Sequence, residues 1–474
     1  VSSESSNILQ FTTYDWALVV AYLLFLLYLG LRDSRRGRSS AEEFILGGRM
    51  LSLPGFVAAL VTTWYGGILG VGEFSYMYGL ANWVVFGAPY YVFALLFAFV
   101  FAKRVRSAGM YSIPDMLYHT YDRKTGFLGS VLVYFNSSPA PYVLMLAVLV
   151  QVVTAWPLWV CLVSGSAVSV LYIFLGGFRA VVRTELLQFV LMFGGFFLLL
   201  AFLVPVYGVA DFLPDRLPTE HLSLTGGHSA QYILVWFFIA LWTLVAPQFH
   251  QFTLSARTPT VARRGILVSV CCWFVLDGIT TLSGLYARAL LPDLAQASMA
   301  YPLLAEEILP PVAKALFFIG MLATVLSTTD GLTFIASLTL GRDVIAKWTG
   351  RSDDRAINRY TQYGVLCTAA LSICVALLFP SVIELWYIIG TLFIPALLFP
   401  LSTAYYPRFA VSPTWTFRVM LSGFLVSFLA FLAGVLNSID GQAQYPLGVE
   451  PMYAGLGMAF LLHFSAMLVE RSRE

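Results

Sequence analysis

Thirteen apolar runs, most of them about 20 residues long, take up the greater part of this chain. A run of that length coils into a helix about 30 Å long, which matches the hydrocarbon thickness of a bilayer. The runs fall at about 15–31, 53–79, 82–102, 126–154, 158–176, 181–207, 230–249, 265–290, 312–340, 361–379, 382–402, 416–436 and 452–469. Only 11% of the 474 residues are charged and the mean hydropathy is +0.81, where a soluble domain carries roughly 25% charge. An all-α polytopic membrane protein is therefore expected.

The basic residues give an independent count of the runs. With the amino terminus outside, the odd-numbered connections and the carboxyl-terminal tail face the cytoplasm. Those segments hold every Lys and Arg of the 27 except Arg216, Arg288 and Lys314. This is the positive-inside asymmetry, and one run more or fewer would scramble it. The expected topology is thirteen helices, amino terminus out and carboxyl terminus in. The opening VSSESSNILQFTTYD has neither the basic n-region nor the small-residue cleavage site of a secretory signal, so the first run is read as a permanent helix. A net charge of +2 makes no electrostatic case for nucleic acid. Cys161, Cys271, Cys272, Cys367 and Cys374 all lie in apolar runs without metal-ligand spacing and are read as small apolar packers. The longest connections are 208–229, 291–311 and 437–451 outside and 341–360 inside. None is long enough for a separate catalytic domain, so function is expected within the bilayer.

Two runs carry breaks. The second has Thr62-Thr63-Trp64-Tyr65-Gly66-Gly67 halfway along, and the seventh is interrupted at Pro247. Glycine pairs and proline free backbone groups that must find new partners in a membrane. Either break alone reads equally well as a kink or a packing notch. Together they stand five runs apart, at equivalent places in runs 2–6 and 7–11. That pairing points to two inverted repeats with a binding site at the midplane between them.

The ninth run holds Ser327-Thr328-Thr329-Asp330 at its centre. Hydroxyls in membrane helices commonly bond the carbonyl four residues back. A carboxylate has no such internal partner, and at the membrane centre it costs roughly 2.5–3.5 kcal/mol on insertion scales. Residues three and four apart share a face, so Thr324, Ser327, Thr328 and Gly331 form one stripe with Asp330 on its flank. Such hydroxyls, with carbonyls from a broken helix at Leu60 and Thr63, are oxygen ligands suited to a hard monovalent cation. Glu185 is the second candidate, either as a helix-entry acid paired to Arg179 or Arg183 or as a cation-handling carboxylate. Glu73 lies two turns beyond the first break, facing a pathway or a neighbouring helix. Asp277 and Glu384 read equally well as structural pairs near helix ends. Trp64 and Tyr65 in the first break, and Trp242 one turn before the second, are candidates for lining a solute, with packing as the alternative.

Several segments resemble the sodium/solute symporter family. AEEFILGGRMLSLPG resembles the entry to its first core helix, and TTWYGGILGVGEFSYMYGL the broken helix that follows. GGFRAVVRTELLQFVLM is similar to its signature around the fifth core helix, APQFHQFTLSA to the sixth and LATVLSTTDG…GRD to the eighth. The likeness runs from about residue 40 to 345 and weakly to 400. It implies a five-plus-five inverted-repeat core with broken first and sixth core helices. The parts would be 1–52 (an extra helix and a cytoplasmic loop), 53–207 and 208–402 (the two repeats) and 403–474 (two added helices). It also implies a sodium site made by the carbonyls of Leu60, Thr63 and Thr324 and the hydroxyls of Ser327 and Thr328. Trp242 falls at a gating aromatic and Thr62 at a polar solute contact. Where the family signature usually has Asp, this chain has Glu185. Where some members place second-site hydroxyls, it has Asp330 and Gly331. Glu185 and Asp330 would then bind a second cation or share a proton, since close like charges resist joint ionisation.

The expected function is a sodium-coupled symporter importing a small organic solute by alternating access, with a proton-coupled symporter of the same fold as the alternative. Sodium is the one expected cofactor, and the partners are the solute and the bilayer, with a monomer as the working unit in a bacterial inner membrane. A channel would need a filter-forming sequence. An enzyme would need a catalytic motif, and the scattered His119, His221, His228, His250 and His463 make none.

Overall fold

The computed structural model describes residues 9–34, 45–351, 353–439 and 443–472. Residues 41–44, Arg35, Arg36, Arg38 and Arg473 lie outside the described residues, as do the side chains of Arg179 and Arg183. Twelve long helical segments follow one another. They are α1 (Thr13–Ser34), α2 (Leu53–Tyr78), α3 (Trp83–Ser107), α4 (Arg123–Thr154), α5 (Leu158–Tyr207) and α6 (Ala230–Ser255). Then come α7 (Pro259–Leu290), α8 (Ala313–Thr349), α9 (Asp354–Leu378), α10 (Val382–Ala404), α11 (Pro413–Leu436) and α12 (Pro451–Arg471). Eleven helices are long and apolar enough to cross a membrane, and Thr13–Leu29 and Leu158–Leu171 are shorter apolar helical stretches. The protein is a multi-pass membrane protein.

Burial sorts these helices into a centre and a rim. The apolar windows of α2 and α8 are 89% and 94% buried, whereas those of α11 and α12 are 28% buried. A helix with no lipid-facing stripe can carry polar groups all round, and α8 does: Thr324, Ser327, Thr328, Thr329 and Asp330 are all buried. The peripheral helices keep the ordinary outward apolar face. Of the five cysteines, Cys271, Cys367 and Cys374 lie on such faces, Cys272 is half-buried and Cys161 is buried.

Both expected breaks are present, each with its own chemistry. In α2 the α-helix stops at Trp64, Tyr65–Gly67 form one 3₁₀ turn, and the helix resumes at Ile68. In α6 the helix ends at Ile239, a single turn spans Trp242–Val245, and Ala246 takes an extended conformation (ψ 120°) before Pro247 starts the last segment. The residue before a proline is pushed to that conformation by its ring. Asn136 on α4 supports this second break, donating to the freed Val245 carbonyl (3.1 Å) and accepting from the Trp242 indole (2.7 Å). His250 bonds the Leu244 carbonyl at 3.0 Å. Leu51 before α2 and Ala256 after α6 are joined by a short bridge, with Leu51 N–H donating to Ser255 O and Arg257 N–H to Leu51 O.

Two expectations about connections are corrected. The connection expected between 176 and 181 is helical, so Leu158–Tyr207 is one 50-residue helix, about 75 Å if straight. It is not straight. Ser169 bonds Asp330 and Glu185 bonds Ser327, sites one turn apart on α8, whereas a straight helix would hold Ser169 and Glu185 about 24 Å apart. The intervening segment contains Gly176-Gly177, a pair at which helices bend. The second correction is at 341–360, read as a loop: α8 continues as a π-helix over Thr339–Ala346 and ends at Thr349.

That end of α8 is tied to the short helix Ile113–Thr120. Arg342 donates to Asp115 (3.2 Å) and Asp343 (2.7 Å), Lys347 donates to Asp115 (3.1 Å), and Ser112 donates to Asp343 (2.9 Å). Burial works to raise the Asp115 carboxyl, but the Arg342 and Lys347 charges prevail and hold it below its ordinary 3.8. A lowered carboxyl pKa stabilises the fold above the unfolded value, and that contribution disappears as pH falls through the folded value. Asp115→Asn should therefore lower the melting temperature at neutral pH, and the gap to wild type should close below about pH 4. Thermal denaturation of both proteins across that range checks it.

Close approach at α2 makes a second prediction. A Cβ on Gly66 would sit 1.7 Å from the Thr328 hydroxyl oxygen, whereas one on Gly194 of α5 meets nothing within 4 Å. Gly66→Ala should cost at least about 1–3 kcal/mol of stability, the usual penalty of overpacking. Gly194→Ala should stay near wild type in the same denaturation assay.

Candidate functional site

The central element of the site is the α2 break and the turn just before it. Thr62 and Thr63 are buried there, facing α5 and α8. Glu185 of α5 accepts from the Thr62 hydroxyl, from Ser327 (2.7 Å) and from Thr63 (3.4 Å). The Thr63 and Ser327 hydroxyl oxygens are 3.4 Å apart. On the other side of Ser327, the Thr328 hydroxyl donates to the carbonyls of Thr63 (2.8 Å), Thr62 (3.3 Å) and Thr324 (3.4 Å). One carboxylate, four hydroxyls and three carbonyls thus meet on two neighbouring turns of α2 and α8. No basic side chain among the described residues is ion-paired to this carboxylate. Among the described residues, no group of His, Cys, Asp and Glu is arranged to hold a metal ion. An all-oxygen set of this kind suits a hard cation.

Asp330 occupies the next turn of α8. It is buried, and its bonded partner is the Ser169 hydroxyl of α5. Asp330, carried by α8, and Glu185, carried by α5 and bonded to Ser327, therefore lie about one turn apart along α8. Tyr22 of α1, also buried, is near enough to feel both charges.

The far side of the same break opens into a cavity of about 90 Å³, room for several waters. Its walls include Trp64, Tyr65 and Gly67 of α2, Tyr90 and Tyr91 of α3, Tyr142 of α4 and Trp242 of α6. Trp273 and Asp277 of α7, Trp386 of α10, Phe86 of α3 and Ser138 of α4 also line it. Trp64 is the hub of the aromatic wall: it stacks on Trp242 (centroids 5.3 Å, planes 27° apart) and meets Tyr90 at 5.7 Å and Trp273 at 6.1 Å. Trp386 lies so close to α2 that a Cβ on Gly67 or Gly70 would fall 2.4 or 2.7 Å from its ring. Tyr65 donates to Asp277 Oδ1 at 2.7 Å with the Thr280 hydroxyl 2.6 Å away, and Tyr91 donates to Asp277 Oδ2.

Among the residues singled out from sequence, Thr63, Ser327, Thr328 and Glu185 come together in one cluster, with the Thr324 carbonyl at its edge. Leu60 is buried one turn earlier on α2. Glu185, read either as a helix-entry acid paired to Arg179 or Arg183 or as a cation-handling carboxylate, is bonded to hydroxyls of α2 and α8. Trp64, Tyr65 and Trp242 line the cavity. Thr62 and Glu73 do not: the Thr62 hydroxyl is directed to Glu185, and Glu73 sits half-buried away from the wall. Glu384 is exposed in the first turn of α10, its N–H capped by Ser381. Asp277 is the functional candidate the sequence reading set aside, because its place in mid-α7 was mistaken for a helix end. The signal was available: Trp273 and Thr280 lie four and three residues away, on one helical face.

A family model for the sodium:solute symporter family matches residues 44–412. The chain is 25% identical over 369 residues to the sodium/pantothenate symporter of Haemophilus influenzae, covering 72% of this chain and 74% of that protein. It is 24% identical over 477 aligned positions to high-affinity choline transporter 1 of Caenorhabditis elegans, covering 90% and 79%. Among solved structures, a Na+-coupled sialic acid symporter in a substrate-bound outward-open state superposes with a TM-score of 0.75 at 15% identity, covering 97% of this chain and 98% of that one. A nucleobase-cation-symport-1 family transporter in a closed conformation gives 0.56 at 14% identity, covering 88% and 92%. At these identities the structural likeness speaks for the fold alone.

Ser169 supplies the hydroxyl bonded to Asp330 among the described residues, and removing a partner from a buried acid costs about 1–3 kcal/mol. Ser169→Ala should therefore lower the melting temperature. Ser166→Ala, whose hydroxyl only bonds the Leu162 carbonyl behind it, should change it little.

Proposed function

As the chain belongs to the sodium:solute symporter family, we propose that it imports a small organic solute by alternating access, with sodium as the coupling ion. The observation that carries this reading is that one break in α2 serves two sites. Thr62 and Thr63 join the oxygen cluster of Glu185, Ser327 and Thr328, and Trp64, Tyr65 and Gly67 line the cavity. Sodium held by the Thr328 and Ser327 hydroxyls and the Thr63 and Thr324 carbonyls would clamp α2 to α8, and Leu60 would add a carbonyl from the preceding turn. Clamping fixes the 3₁₀ turn and with it the aromatic wall. Sodium and solute then favour the same conformation, and that shared preference is what coupling requires. Release of sodium into a low-sodium cytoplasm would free α2 from α8 and let the inner side open.

Counting the bent α5 as two passes gives thirteen membrane helices, which in this reading have the amino terminus outside, five-plus-five repeats over about 53–402, and α11 and α12 added at the rim. The match to a bacterial sodium/pantothenate symporter supports placement in a bacterial inner membrane. A monomer is the working unit in this reading. A proton-coupled reading has one observation in its favour, the two buried acids Glu185 and Asp330 on neighbouring turns. In that version Asp330, with Ser169, carries the proton; in the sodium version it belongs to a second cation site.

Uptake into proteoliposomes under a sodium gradient alone and a proton gradient alone separates the two. Sodium alone should drive accumulation. Thr328→Ala, and to a lesser degree Ser327→Ala, should raise the half-saturating sodium concentration by about tenfold, the loss of roughly 1.4 kcal/mol from the ion's shell. Accumulation with protons alone and unchanged sodium dependence in both variants would overturn the sodium assignment.

A further inference from the structure

The solute cavity has an unusual charge balance. Its wall contains four tryptophans (Trp64, Trp242, Trp273, Trp386), four tyrosines (Tyr65, Tyr90, Tyr91, Tyr142) and one charged residue, Asp277. Among the described residues no Lys, Arg or His faces it. Asp277 is buried to 4% exposure, and no ion pair among the described residues involves it. Its two oxygens accept from different tyrosines, Oδ1 from Tyr65 and Oδ2 from Tyr91. A carboxyl that accepts on both oxygens is arranged as a carboxylate. A buried carboxylate with no counter-ion is costly unless a cation joins it.

The rings supply the rest of a cation site. A cationic group is attracted to the face of a Trp or Tyr ring within about 6 Å, and more strongly where water is excluded. Trp64 gathers Trp242, Tyr90 and Trp273 around itself at centroid separations of 5.3–6.1 Å, so several rings and the carboxylate bound one small space. An anionic solute would meet Asp277 without a compensating base. A sugar would find too few side-chain polar groups to replace its hydration, since beside the tyrosine hydroxyls and indoles the described residues of the wall offer only Ser138 and Asp277. The Tyr65 and Tyr91 hydroxyls are already committed to Asp277. Each Asp277 oxygen accepts from one tyrosine and keeps a further lone pair, so the carboxylate alone does not choose between ammonium groups. The rings around it offer π-faces and few hydrogen-bond acceptors, which favours an alkylated ammonium group over a primary one.

We propose that Asp277 and the aromatic wall form a subsite for an organic cation carrying an alkylated ammonium group, with Asp277 as its counter-charge. This rests on the cavity being the solute site of the sodium-coupled transporter above. Tyr65 links the subsite to the coupling ion: it follows Thr63 by two residues on the α2 turn and holds Asp277 in place. Tyr91 makes the same bond from α3, so α2, α3 and α7 all converge on one carboxylate.

The test compares choline with its uncharged isostere, in which carbon replaces the quaternary nitrogen, on the purified full-length protein. Binding is read as a shift in melting temperature and as quenching of tryptophan fluorescence, with and without sodium. Choline should bind in sodium, and the isostere, identical in shape, should bind at least tenfold more weakly. Asp277→Asn should reduce that discrimination to below about threefold while sodium alone still stabilises the variant. Wild-type discrimination needs no variant, so the proposal remains testable if Asp277→Asn does not fold. Equal binding of the two compounds overturns it, as does sodium-dependent binding of pyruvate or pantothenate with none of choline. Those results would leave the sodium-coupled reading intact. Choline binding that is tight but indifferent to sodium would instead remove the coupling assignment and leave the cation subsite standing.

Discussion

The Thr328 hydroxyl, seated against Gly66 and donating to the Thr63 carbonyl, is the contact on which the rest of the site depends. A helix that breaks inside a bilayer exposes carbonyls that water cannot reach. Here they are met by a side chain from the most buried helix of the molecule. The bond is possible only because residue 66 lacks a Cβ. Burial of α8, the glycine in α2 and the hydroxyl at 328 are therefore one constraint seen from three positions. The second break is stabilised in the same way, with Asn136 and His250 bonded to the carbonyls freed before Pro247.

From this clasp follow two neighbouring environments with opposite chemistry. On the α5 and α8 side, oxygens crowd around Glu185 and suit a small hard cation. On the α3, α6, α7 and α10 side, rings surround Asp277 and suit a large soft one. The chain passes from one to the other between Thr63 and Trp64. In the proposed mechanism the break would be the coupling element, because a ligand on either side constrains the same few backbone angles.

Much of this was legible in the sequence, for identifiable reasons. Bilayer thickness sets the length of a spanning helix, so apolar runs mark the helices, and the basic residues order them. Carboxylates are so costly in hydrocarbon that Asp330 and Glu185 stand out at once. Glycine pairs and proline mark breaks because their backbone chemistry is local. What was misread depended on distance in sequence. Thr62 and Trp64 both sit in the break, but a helix turns 100° per residue, and which of them faces the oxygens depends on where α5 lies. Asp277 resembled a structural acid because its partners are 212 and 186 residues away. The extent of α5 and α8 was misjudged because a helix can continue past its apolar run wherever protein satisfies it, as Arg342 and Lys347 do with Asp115.

By itself, then, the sequence determined that this chain is a bundle of membrane helices with two breaks and a polar centre, since solvation and backbone sterics act residue by residue. Only the tertiary structure decided that Glu185 meets Thr62, Thr63 and Ser327, and that Asp277 lies among the rings of five other helices. Such meetings depend on how helices cross and rotate. That is settled by the packing of whole surfaces, in which no single residue carries the information.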